Sequence, residues 1–232
     1  MLDMLAVIGM VAAAMSGALA AGKERMDLFG VAMVGFVTAL GGGTFRDLFL
    51  DNHPLVWIKE PGYVVLVTVA AGLTVWLARV LRYVWDLFLL LDAVGLVAFS
   101  ILGAQVAINK DMGFIIAGVA ALVTGAVGGI LRDLLCDRIP LVFREELYAS
   151  VSLVAGLGYA GLLAAGVQPG IAVTSTLVAG FALRVAAIRY KISLPVFDHQ
   201  ETYAERRQDL RRALRILRER TKRRPPSAPT AR

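Results

Sequence analysis

Residues 41–57 read Gly-Gly-Gly-Thr-Phe-Arg-Asp-Leu-Phe-Leu-Asp-Asn-His-Pro-Leu-Val-Trp. A second version starts at Gly128 and reads Gly-Gly-Ile-Leu-Arg-Asp-Leu-Leu-Cys-Asp-Arg-Ile-Pro-Leu-Val-Phe. Arg46 and Arg132 are 86 positions apart, and the same shift sets Gly42 on Gly128, Asp47 on Asp133 and Asp51 on Asp137. It also sets Pro54 on Pro140, Leu55 on Leu141 and Trp57 on Phe143. One Arg-Asp pair is coincidence. Seven matches in one register, several of charged types rare in apolar surroundings, read as an internal duplication.

The text around both copies is apolar. Of 232 residues 58% are apolar and only 18% charged, whereas a soluble domain carries about a quarter charged. Mean hydropathy is +0.69. The charge gathers in short clusters and in the C-terminal tail, leaving apolar stretches near the roughly 20 residues that cross a bilayer as a helix. The chain reads as a polytopic membrane protein. Its single cysteine, Cys136, excludes an intrachain disulfide. No Cys/His cluster has metal-ligand spacing and no nucleophile stands with a base, so neither an enzyme, a metal site nor a cofactor is expected. His53 and His199 read as solvated loop residues.

Seven spans emerge at about 2–21, 28–50, 62–80, 86–108, 113–137, 147–166 and 169–188. The first carries a cleavage-like Ala18-Leu19-Ala20 but no basic start, and the 86-residue shift sets Gly17-Ala18 on Gly103-Ala104. It reads as a retained transmembrane helix. Lys23, Arg25, Arg79, Arg82, Arg138, Arg144 and the tail from Arg189 fall on one side of the membrane; Lys59 and Lys110 fall on the other. The basic side is expected to be cytoplasmic, which puts the C-terminus inside and the N-terminus outside.

The expected fold is all-α. A transmembrane domain over about 1–195 comprises two three-helix repeats, at about 1–82 and 86–166, and a seventh helix at about 169–188. Three is odd, so the second repeat is inverted relative to the first, as in many transporters and channels.

The glycines Gly41, Gly42 and Gly43, and Gly128 with Gly129, predict interruptions in the second and fifth helices. Backbone groups freed at such breaks need water, protein or an ion, which implies a polar path beside them. Each Arg-Asp pair follows within about one turn. An ionisable side chain costs about 2.5–3.5 kcal/mol at mid-membrane, so Arg46, Asp47, Arg132 and Asp133 need water or partners there. Asp47 and Asp51 share a helix face, as do Asp133 and Asp137. The arginines are turned about 100° away, which predicts that each looks past its neighbouring aspartate, approaches the axis between the repeats and meets an acid of the opposite repeat or Asp92. Two roles stand side by side: lining a path, or locking the repeats together. Thr38 and Thr124 match across the repeats as polar lining, although back-bonding to their own helix is the commoner role. Arginines and helix N-termini favour anions, while carbonyls and aspartates favour cations; the residues leave the ion open.

The tail, about 196–232, holds ten Lys/Arg against two acids between Arg206 and Arg224. It predicts a basic amphipathic helix with Arg211, Arg212, Arg215 and Arg218 facing anionic lipid headgroups, then a Pro-rich disordered end. A solvated tail that only enforces topology is the plainer alternative. With no recognition fold beside it, nucleic-acid binding is not expected.

The two Gly-Gly-x-x-Arg-Asp-Leu copies, each followed by Pro, resemble the trimeric intracellular cation channel (TRIC) family, whose prokaryotic members are also labelled glycine transporters. Ser16-Gly17-Ala18, Asp27-Leu28-Phe29-Gly30, Leu91 to Phe99, Glu146-Leu147-Tyr148-Ala149 and Leu194-Pro195 extend the likeness over about residues 2–195. The family's acid early in the first helix, the counterpart of Asp92, falls here on Ala6, with Asp3 nearby. The resemblance implies a homotrimer in the prokaryotic inner membrane with one pore per protomer. That pore would pass monovalent cations, chiefly potassium, and the glycines and Arg-Asp pairs would line or gate it. Rival readings are a secondary transporter of a small solute such as glycine, and a non-transporting scaffold or lipid-binding protein.

Overall fold

The computed structural model describes residues 1–78, 84–144 and 147–192, and every regular element among them is a helix. In chain order these are α1 (Leu2–Lys23), α2 (Leu28–Phe49), the short α3 (Val56–Lys59), α4 (Gly62–Ala78) and α5 (Val84–Asn109). Then come α6 (Gly113–Leu135), the short α7 (Leu141–Arg144), α8 (Tyr148–Ala164) and α9 (Pro169–Tyr190). Local chemistry sets several ends. Asp27 caps α2 by accepting from the Gly30 amide at 2.7 Å. Pro169 opens α9, where its missing N–H costs nothing.

Five helices are long and apolar enough to cross a membrane. α8, at 17 residues, extends about 25 Å and sits at the lower limit for a span; α4 is described over 17 residues. Large apolar side chains such as Phe29, Phe49, Ile115 and Val178 point outward, as lipid-facing residues do. The interior is built on α1 and α5, the most buried of the long helices. Around them the packing is of small residues, Ala14, Ala71, Ala104 and Ala121 among them, all fully enclosed. This is how membrane helices approach closely when no hydrophobic force drives them together. The chain is an all-helical membrane protein.

The 86-residue shift governs the element boundaries too. α4 and α8 match at their first residues, and α1 with α5, then α2 with α6, match at their last. Left-handed backbone recurs at Arg25 and Asp111, and again at Asp51 and Asp137.

The expected interruptions are not there. α2 and α6 run as α-helix through Gly41–Gly43 and Gly128–Gly129. The glycines serve close contact instead, and in lipid a helix that keeps its backbone hydrogen bonds costs less than one that frees them. Two four-residue helices, α3 and α7, follow Pro54 and Pro140 and were not anticipated. Arg79, Arg82, Glu146 and the tail with Arg211, Arg212, Arg215 and Arg218 lie outside the described residues.

Candidate functional site

The site forms where α2 and α6 cross. A Cβ on Gly42 would collide with the Thr124 carbonyl oxygen, and one on Gly128 with the Thr38 carbonyl oxygen. As residue number rises along α2 it falls along α6, so the two helices are antiparallel. The crossing is tight enough that only glycine fits on either side. Gly17 and Gly103, again 86 apart, let α1 and α5 close on the same threonines. A Cβ on Gly17 would lie 2.6 Å from Thr38 Oγ1, and one on Gly103 would lie 2.5 Å from Thr124 Oγ1. Both hydroxyls donate to their own helix, Thr38 to the Val34 carbonyl and Thr124 to that of Ala120, each at 2.6 Å. This is the back-bonding expected of buried threonine.

Arg46 and Arg132 each lie four residues beyond their crossing glycine. Because the helices are antiparallel, the pairs stand on opposite sides of the crossing, each about 6 Å along its helix. Both arginines bond their adjacent aspartate, contrary to expectation. Arg46 donates from Nε (2.9 Å) and Nη2 (2.6 Å) to Asp47 Oδ1, and Arg132 Nε donates to Asp133 Oδ1 at 2.7 Å. A 100° separation of Cα positions does not keep them apart, because the arginine stem is long enough to fold back.

Beyond that shared bond the environments differ. Arg132 is wholly enclosed. Its Nη1 donates to Asp92 Oδ1 at 2.5 Å and to Ser16 Oγ at 2.8 Å, and its guanidinium lies 4.6 Å from the Phe88 ring centroid. Asp92 also accepts from the Tyr148 hydroxyl at 3.2 Å, and the Arg184 guanidinium covers the Tyr148 ring. Asp133 Oδ2 accepts from the Leu141 amide at 2.9 Å. Of the acids expected for the arginines, Arg132 meets Asp92, but among the described residues neither arginine bonds an acid of the opposite repeat, because each is held by the aspartate next to it.

Arg46 has no such company. Asp47 Oδ1 also accepts from Asn52 Nδ2 at 2.9 Å, Asp47 Oδ2 has no hydrogen bond, and the only acid bonded to Arg46 among the described residues is Asp47. The counterparts of Phe88, Asp92 and Ser16 under the 86-residue shift are Leu2, Ala6 and Leu102. All three line a cavity of about 220 Å³ shared with Gly43, Arg46, Asp47 and Thr124. On the other side a second cavity, about 480 Å³, is lined by Lys23, Asp133, Asp137 and Arg138. Space meets one Arg-Asp pair in each half.

The geometry thus gathers Gly42, Gly43, Gly128, Gly129, Arg46, Asp47, Arg132, Asp133, Asp92, Thr38 and Thr124 around one crossing. Gly41 contacts Leu131 instead. Asp51 is not on the face of Asp47; α2 ends at Phe49, and Asp51 sits in the following turn with an exposed side chain. Ser16, Asn52, Phe88, Tyr148 and Arg184 were missed as site residues. Tyr148 stands at the first residue of α8, yet it is buried against Asp92. Arg184 carried a usable signal, a lone arginine inside an apolar span.

Comparisons with known proteins show what the chain is similar to. A family model described as Glycine transporter matches residues 3–79 and 89–164, two stretches whose starts are 86 apart. The inner membrane protein YadS of Escherichia coli K12, of the UPF0126 group, is 40% identical over 199 residues, covering 85% of this chain and 96% of its own. A UPF0126 membrane protein of Vibrio cholerae is 36% identical, covering 85% and 83%. Among solved structures, the TRIC trimeric intracellular cation channel orthologue of Rhodobacter sphaeroides is 34% identical with a TM-score of 0.78, covering 82% of this chain and 97% of that one. A prokaryotic TRIC channel in potassium chloride is 30% identical with a TM-score of 0.77, covering 83% and 98%. The Caenorhabditis elegans channel, at 13% identity and TM-score 0.57, shares the fold.

Proposed function

We propose, on the premise that this chain belongs to the TRIC family of trimeric intracellular cation channels, that it conducts monovalent cations, chiefly potassium, passively through one pore in each protomer of a homotrimer. The observation that carries this is the likeness over nearly the whole membrane part to proteins solved as cation channels. The geometry supports the same reading. Two buried Arg-Asp pairs flank one glycine crossing, and each borders a cavity. In this reading the passage runs past Arg46–Asp47 on one side and Asp133 on the other, with carboxylate and carbonyl oxygens replacing part of the ion's hydration.

Seven crossings in two inverted triplets are the arrangement we infer. The matched boundaries and the antiparallel course of α2 and α6 support it. So do contacts between helix ends. Arg138, after α6, bonds Glu24, after α1, while Lys110, after α5, donates to the Asp51 carbonyl, after α2, at 2.9 Å. The ends carrying Lys23, Arg25 and Arg138 thus group together, and we assign that face to the cytoplasm. The N-terminus is then outside and the C-terminus inside, where the basic tail faces anionic lipid.

A second reading is a carrier of a small solute such as glycine, the word in the description of the matching family model, which by itself does not choose between them. A planar-bilayer recording under a potassium chloride gradient separates the two. The channel reading predicts unitary currents that reverse near the potassium equilibrium potential. Reversal near that of chloride, or flux without resolvable unitary steps, overturns it.

A further inference from the structure

The two Arg-Asp pairs differ in one respect that the duplication makes legible. Arg132 holds two carboxylates, Asp133 through Nε and Asp92 through Nη1. Arg46 holds only Asp47, through Nε and Nη2, and its Nη1 makes no hydrogen bond among the described residues. The residue at the position of Asp92 is Ala6, and the space that its short side chain leaves belongs to the cavity of about 220 Å³ that Arg46 lines. Arg46 as a residue is 5% exposed, its Nη1 is open to the cavity side, and a guanidinium edge is shaped for carboxylate oxygens.

We propose that the cavity beside Arg46 binds a small carboxylate anion of about acetate size, whose oxygens take on Arg46 the place that Asp92 takes on Arg132. The second repeat supplies the precedent within this chain: an arginine already bonded to its neighbouring aspartate accepts a further carboxylate at Nη1. Polar groups of Asn52, Tyr63 and Gln105 share the cavity lining, and its rim includes the exposed Asp3. Asp3 forms no ion pair with Arg46 among the described residues, so it does not already fill the place. Enclosure strengthens the attraction between guanidinium and anion relative to bulk water. The site concerns binding alone and stands whether or not the chain conducts cations.

The test uses the full chain in detergent and observes the acetate methyl by saturation-transfer NMR, with chloride holding ionic strength constant. The wild type is expected to give a saturable signal, weakened at least tenfold by Ala6→Asp, which delivers the carboxylate from the chain. Ala6→Leu fills the cavity without charge and is expected to weaken it likewise, which covers the case that the aspartate variant fails to fold. Asp3→Asn is expected to keep the signal. No saturable signal from the wild type, or an undiminished signal from a folded Ala6 variant, overturns the proposal. Potassium currents recorded on the same variants report separately on conduction, so failure of one reading is told apart from failure of the other.

Discussion

Arg132 shares its guanidinium among Asp133, Asp92 and Ser16, whereas Arg46 has Asp47 and a cavity. Removing a partner from a buried ion pair leaves a charge without compensation and costs about 3–5 kcal/mol. Arg132→Ala strands two carboxylates in an enclosed cluster. Arg46→Ala strands one, which keeps its bond from Asn52 and borders space that water can fill. Arg132→Ala is therefore expected to lower the thermal unfolding temperature of the detergent-solubilised protein markedly more than Arg46→Ala. Equal losses would contradict the difference in environment. At this scale the sequence located the charged residues and the link from Arg132 to Asp92. It did not disclose the bonds within each Arg-Asp pair, because angular position on a helix says little about where a long flexible side chain ends. Nor did it disclose Ser16 or Tyr148, whose roles depend on which helices pack together.

Among the elements, α2 and α6 meet glycine against backbone, reciprocally on both helices. Neighbouring glycines in a sequence signal either a broken helix or a close approach, and periodicity does not choose between them. The structure chooses approach: Gly42 and Gly128 press on each other's helix at the Thr124 and Thr38 carbonyls. A backbone oxygen cannot swing aside, so Gly42→Ala forces the helices apart, and overpacking of this kind costs about 1–3 kcal/mol. Gly72 in α4 has open space where its Cβ would be, and replacing glycine by alanine inside a helix gains about 0.5–1 kcal/mol. Gly42→Ala is expected to lower the unfolding temperature, while Gly72→Ala leaves it unchanged or raises it. The reverse order would show that the crossing is not a packing constraint. The five long apolar helices were legible because long apolar stretches admit few readings. The short α3 and α7 were not, since four residues carry no usable period.

In the arrangement we propose, the described helices form two copies of one unit plus α9. Charge ties the helix ends: Lys23 stands over Trp85 on one face, and Lys110 holds the Asp51 carbonyl on the other. The membrane and the family were readable from sequence, because charged motifs in apolar text are rare by chance. The asymmetry at Arg46 was visible only as an alanine where an acid was expected, and its meaning needed the cavity.

The central claim is that antiparallel repeats bound one passage open to both faces. Asn52 and Arg138 occupy equivalent positions 86 apart, in the cavities beside Asp47 and Asp133 respectively. The most direct measurement applies a charged thiol reagent from each face to Asn52→Cys and Arg138→Cys, in a Cys136→Ser background, during potassium current recording. We expect each cysteine to react from one face only, the two faces to be opposite, and each reaction to reduce the current. Reaction of both from the same face, or modification that leaves the current unchanged, would contradict the account.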